Sequence, residues 1–170
     1  MTFTDERENS MKMKKDAIFS NNRKFRYWLK RQWDDNKPSV SYICLNPSYA
    51  DDIRDDRMVT KCVKQAKILG FGSIEMTNLF AFIETKGNKL YKVADPIGKE
   101  NDIYLLKTAK KCDKVIVAWG NNRGHNNRSE IVLKMLKKLN LRLSCLKITA
   151  TGQPHHPGRL GYCEKLKTIK

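Results

Sequence analysis

Short apolar runs alternate along this chain with segments of helical periodicity, and Gly, Pro and Asn punctuate the boundaries. Residues 1–16 are polar and aperiodic and read as a flexible N-terminal tail. In the stretch from Ala17 to Trp33, Phe25, Tyr27 and Leu29 alternate with Arg26, Trp28 and Lys30, a period of two that fits a half-exposed strand. A turn at 34–39 leads into Val40–Leu45, an apolar β-rich run that stops at Asn46-Pro47, as a buried strand does when it ends in a loop. Residues 57–69 place Val59, Cys62, Val63, Ala66 and Leu69 on one helical face, closed by Gly70. Ser73–Leu79 is a second strand, and 80–96 is a long connection. A basic amphipathic helix follows at 98–112, then the strand Lys114–Trp119 and a turn at Gly120–Gly124. Asn126 or Asn127 is placed to cap a helix whose apolar face is Ile131, Val132, Met135, Leu136 and Leu139. Leu143–Thr149 is the last strand, and 150–161 is a loop rich in Gly and Pro. This alternation predicts one α/β domain over residues 17–170. Its expected architecture is a three-layer αβα sandwich with a central four-stranded, mostly parallel sheet plus an N-terminal β-hairpin.

At 170 residues the chain fits a single domain with a core large enough to fold unaided. Charge changes the picture more than length does. The formal net charge is +16, and residues 103–170 hold 15 basic and only 3 acidic side chains. A polyanion, nucleic acid first, is the partner such a surface favours, and a lysine-rich solvated surface is the plainer alternative. No run of 18 apolar residues exists, so no membrane-spanning helix is expected, and the N-terminus lacks the apolar stretch of a secretory signal. The five cysteines (44, 62, 112, 145 and 163) are odd in number and widely spaced, which favours reduced buried thiols and a cytoplasmic setting.

In an open α/β sheet the site lies outside the carboxyl ends of the strands. That rule selects Asn46-Pro47-Ser48-Tyr49, Thr77-Asn78-Leu79, Trp119-Gly120-Asn121-Asn122 and the loop at 153–160. In this order the four segments resemble the motifs of the uracil-DNA glycosylase superfamily. Cys44-Leu45-Asn46-Pro47-Ser48-Tyr49 is similar to the first motif, of the type Gly-x-Asn-Pro-Gly or Gly-Gln-Asp-Pro-Tyr-His. Met76-Thr77-Asn78-Leu79 matches the strand ending in Leu-Leu-Asn, Val117-Ala118-Trp119-Gly120 the hydrophobic-Trp-Gly strand end, and His156-Pro157-Gly158-Arg159-Leu160 the His-Pro-Ser-Pro-Leu loop. Within the superfamily the resemblance is to an LNPS-type bacterial and mobile-element family, pseudo-uracil-DNA-glycosylase-like, and it spans about residues 40–162.

The resemblance implies roles for particular residues. Asn46 and His156 would be catalytic, one positioning water or base and the other donating to the base oxygen as charge develops. Asn78 would read a pyrimidine edge, with Pro47, Tyr49 and Trp119 completing the base pocket. Leu160 would wedge into the duplex, with Arg159, His155 and Arg123 contacting DNA. Each has a plainer reading: strand-end caps for Asn46 and Asn78, a loop histidine beside Pro157 for His156, and simple packing for Leu160. The first motif carries Asn46, not Asp, so a carboxylate that would orient the attacking water is missing there. Some branches of the superfamily carry Asn at this place and stay active, usually more slowly, and the implied excision is weak or absent. In the acidic stretch 51–56, Asp51 or Asp52 could substitute for the missing carboxylate, Asp55 or Asp56 could cap the following helix, or the cluster could bind a metal. No Cys-x-x-Cys pair is present, which argues against an iron–sulfur cluster, and no cofactor or metal is expected.

Three functions follow from the resemblance. The first is a pseudo-enzyme that binds DNA or a nucleobase or nucleotide with weak or no uracil excision. The second is an active DNA N-glycosylase on an uncommon base, in DNA repair. The third is a basic decoy that binds an acidic DNA-mimic inhibitor protein.

Overall fold

Residues 12–121, 125–162 and 165–169 are described by the structure, a computed structural model. Among them seven strands form one sheet: β1 (Lys14–Phe19), β2 (Arg26–Gln32), β3 (Ser39–Cys44), β4 (Ser73–Asn78), β5 (Lys114–Val117), β6 (Leu143–Cys145) and β7 (Lys167–Thr168). Their order across the sheet is β1-β2-β4-β3-β5-β6-β7. Pairing is parallel for β4–β3, β3–β5 and β5–β6 and antiparallel for β1–β2, β2–β4 and β6–β7.

The helices α1 (Arg57–Ile68), α3 (Asn101–Lys111) and α4 (Arg128–Lys138) cover the sheet, and a single turn α2 (Gly87–Leu90) lies in the connection after β4. α1 starts where the Asp56 carboxylate accepts the Val59 N–H at 2.8 Å. It buries Val59, Cys62, Val63 and Ala66 against Val40, Tyr42, Ile74 and Met76 on one face of the sheet. On the opposite face Leu105 and Ala109 of α3 and Val132 and Leu136 of α4 pack with Ile43, Val115 and Val117. The two cores follow from the pleat: Tyr42 and Ile43 are neighbours in β3 and point to opposite faces. No helix among the described residues is long and apolar enough to cross a membrane.

The sheet corrects the expected architecture. A central four-stranded, mostly parallel sheet with a separate hairpin is replaced by a single mixed sheet of seven strands, in which antiparallel pairs are as numerous as parallel ones. β2 pairs with β4 from Leu29↔Met76 to Gln32↔Ser73, so the hairpin is an integral edge of the sheet. β7 closes the other edge from a two-residue segment too short to carry any periodicity. Lys14–Asp16, expected in the tail, begin β1, while residues 1–11 lie outside the described set. The last parallel strand stops at Cys145 rather than Thr149. Asn127 does precede α4, but with a left-handed backbone (φ 52°) and no side-chain cap. Arg26, expected on an exposed face, is buried.

Candidate functional site

Two chain crossings fix where a ligand can sit. From β3 the chain passes through α1 to β4 on one side, then returns to β5 on the other side of β3. The strand order therefore reverses between β3 and β5, and a crevice opens there at their carboxyl ends. An open cleft of about 540 Å³ occupies this position, lined by Leu45 after β3, Trp119, Gly120 and Asn121 after β5, Lys147–Ala150 after β6, and His155, His156 and Arg159.

The walls of the cleft are held by short-range bonds. After β6 the chain leaves the sheet and folds back on itself: Thr149 N–H donates to Gln153 O at 2.8 Å and His155 N–H to Lys147 O at 2.8 Å. The Asn121 side-chain oxygen accepts from the Thr149 hydroxyl at 3.0 Å and the Thr151 hydroxyl at 2.7 Å, tying this fold-back to the end of β5. Trp119 is buried, and its indole N–H donates to Gln153 Oε1 at 3.0 Å. Gly120 has φ +72° and donates its N–H to Pro154 O at 2.8 Å, while a Cβ at this position would lie 3.0 Å from the His156 Cβ. Only a glycine allows this approach without a shift, so the Trp-Gly dipeptide seats the histidine loop.

His156 has a defined protonation pattern. Its Nδ1 accepts the Gly158 N–H at 3.1 Å. A nitrogen that accepts carries no proton, so the neutral ring bears its hydrogen on Nε2. Burial lowers the His156 pKa below its usual 6.5, and its electrostatic interactions with Arg159, His155 and Lys61 lower it further. The cleft thus contains a neutral imidazole with one N–H donor, beside the cationic side chains of Lys147 and Arg159. None of its described lining residues is a carboxylate.

Of the residues singled out from the sequence, the structure brings Trp119, His155, His156 and Arg159 together here. Asn46 is half-buried, and its amide N–H₂ donates to Pro47 O at 3.1 Å and Glu84 O at 2.7 Å, which fixes the loop after β3. Pro47 is buried beside it. Asn78 ends β4 fully inside the protein, and its Oδ1 has no hydrogen-bond partner among the described residues. Asp51 is not among the residues that line the cleft. Its carboxylate accepts the N–H groups of Arg54 at 2.6 Å and Ile53 at 2.9 Å. Those bonds and the Arg54 guanidinium hold its pKa down to about 2, which makes it a feeble base. Asp55 is ion-paired to Arg31 at 2.7 Å, and Asp56 is the α1 cap. No group of three or more potential metal ligands exists among the described residues.

Leu160 is half-buried and packs against the core that includes Val59 and is flanked by Met58. With Tyr49 it lines a second cleft. Arg123 lies outside the described residues. Sequence reasoning missed Lys147, Ile148 and Thr149, because their apolar and β-branched pattern continues β6 and hides the turn away from the sheet. Buried Arg26 and Arg31 were missed as well. Arg26 donates to Ala50 O at 3.0 Å and Arg31 to Asp55 and the carbonyls of Asp51 and Arg54, so β2 clamps the loop that follows Tyr49. Burial lowers the Arg26 pKa to about 10.

A family model described as a protein of unknown function (DUF1643) matches residues 26–158, and the chain belongs to that family. No curated protein and no solved structure matches it.

Proposed function

We propose that this chain is a uracil-DNA-glycosylase-like protein that binds DNA or a nucleobase at the cleft between β3 and β5, with uracil excision weak or absent. The observation that carries this reading is the composition of the cleft. It presents a neutral His156 with a single Nε2–H donor, flanked by Lys147 and Arg159, and no carboxylate among its described lining residues. A neutral imidazole donor suits a base carbonyl, and the two cations suit the phosphates on either side. Hydrolysis would also need a base to position water, worth roughly 10²–10⁴-fold, and Asp51 is committed to its own turn. Binding therefore outlasts chemistry in this arrangement.

Anisotropy titration of labelled uracil-containing oligonucleotides over a range of salt, with assay of abasic-site formation in the same samples, tests the reading. The expected result is an affinity that falls steeply as salt rises, since each phosphate neutralised releases counterions, together with little strand breakage after alkali. A flat salt dependence would remove phosphate contact as the source of binding. Efficient uracil release would overturn the second half of the reading.

A further inference from the structure

The second cleft, about 560 Å³, is lined by Leu160, the chain neighbour of the Arg159 that lines the first. Two tyrosines line it, Tyr49 from the loop after β3 and Tyr162 from the end of the histidine loop, and they are 59% and 51% exposed. Between them runs α1, which places Arg57, Lys61 and Lys64 on the cleft at spacings of four and three residues. Those spacings put the three cations on one face of the helix, in a stripe about 10 Å long. Lys61 reaches across to the carbonyls of Gly158 and Leu160, so the stripe is joined to the histidine loop. The two acids in the cleft are already committed: Asp56 is buried as the helix cap, and Asp55 pairs with Arg31 and Lys15.

On this basis, and resting on the nucleic-acid reading above, we propose that the second cleft binds the nucleotides flanking the one held in the first cleft, and that the strand it accepts is single. Exposed aromatic faces beside a basic stripe form a stacking platform, and any base has a face to offer it. A duplex covers those faces with neighbouring bases. Opening a duplex needs an apolar side chain to fill the vacated stack, and Leu160, half-buried, has part of its surface taken up against the core. Tyr49 and Tyr162 act as the stacking residues, and Arg57 and Lys64 neutralise the backbone.

Anisotropy of the full chain with labelled oligothymidylate and with a hairpin duplex of equal nucleotide number tests this. Tyr49→Ala and Tyr162→Ala are each expected to weaken oligothymidylate binding by about 5- to 150-fold. Tyr49→Phe and Tyr162→Phe keep the stacking face and are expected to bind like the parent, and duplex binding, weaker from the start, should not respond to any of the four. Thermal midpoints within a degree or two of the parent will show that the variants are folded, as expected for half-exposed side chains. If the alanine variants bind oligothymidylate normally, or lose duplex and single-strand affinity by the same factor, the stacking groove is overturned while the first cleft remains. If the parent chain binds neither probe, the nucleic-acid reading falls with it.

Discussion

Replacing Gly120 by alanine probes the contact on which the cleft depends. Two costs arise at this position, and the structure separates them. The first is conformational: φ is +72°, and an L-residue held in the left-handed region costs roughly 1–2 kcal/mol. The second is steric: the new Cβ would sit 3.0 Å from the His156 Cβ, so the 154–156 segment must retreat by a few tenths of an ångström. Gly70 supplies the control, because its φ is +87° and nothing lies within 4 Å of its would-be Cβ. Gly70→Ala should therefore show the conformational cost alone, a fall in thermal midpoint of about 2–8 °C, with oligonucleotide affinity unchanged. Gly120→Ala should fall by at least as much and also lose affinity, since displacing His156 moves the only imidazole donor that Gly158 orients. Differential scanning fluorimetry and anisotropy on the two variants give both numbers. If Gly120→Ala binds as well as Gly70→Ala, the close approach of the Trp-Gly turn to the histidine loop has no part in ligand binding.

Three further outcomes are expected. Asp56→Ala removes the α1 cap and should cost about 1 kcal/mol in urea denaturation, with Asp56→Asn retaining most of it. Asn46→Asp should give no gain in uracil excision and should lower stability by about 1–3 kcal/mol, because a carboxylate cannot donate to Pro47 O and Glu84 O and would face both carbonyls; a rate gain in the abasic-site assay would refute this. For His156, the folded pKa lies below the unfolded value of 6.5, so the unfolded chain binds the proton first as pH falls. Stability is thus expected to be intact above about pH 6.5 and to decline below it until the folded pKa is passed. A His156→Gln variant, measured by urea denaturation across that window, should lose part of the slope.

The helices and the buried strands were legible because their signals are local. The 3.6-residue period of Val59, Cys62, Val63 and Ala66 and the apolar run of β3 depend only on near neighbours. What escaped depends on partners distant in the chain. β7 is two residues long and exists because Ser144 and Cys145 offer it an edge. Arg26 and Arg31 are buried because carbonyls of the 50–54 loop receive their N–H groups, a satisfaction that no pattern in β2 announces. The site divided in the same way. The motif order placed Trp119 and His156 at one cleft through the general rule for strand ends. Lys147 and Thr149 were read as strand, since a fold-back held by Gln153 and His155 looks like continued β pattern in one dimension.

The distribution of acids explains why so basic a chain keeps its positive field at the cleft. Six carboxylates of the described residues are spent on structure. Glu75 is buried under the Trp28 indole and Lys111, Asp102 pairs with Arg128, Asp113 holds the start of β3 through Ser39, and Asp51, Asp55 and Asp56 build the loop before α1. Each of these either caps an element or neutralises a cation away from the crevice between β3 and β5. Lys147 and Arg159 have no carboxylate partner among the described residues, and they stand at the concave opening where field lines converge. Burial first, and then the nearby cations, keep His156 neutral, and a neutral histidine whose Nδ1 is occupied by Gly158 can only donate from Nε2. The basic collar follows from acids used as struts with cations left facing the ligand, and the neutral donor follows chiefly from the burial of the histidine loop, to which those cations add.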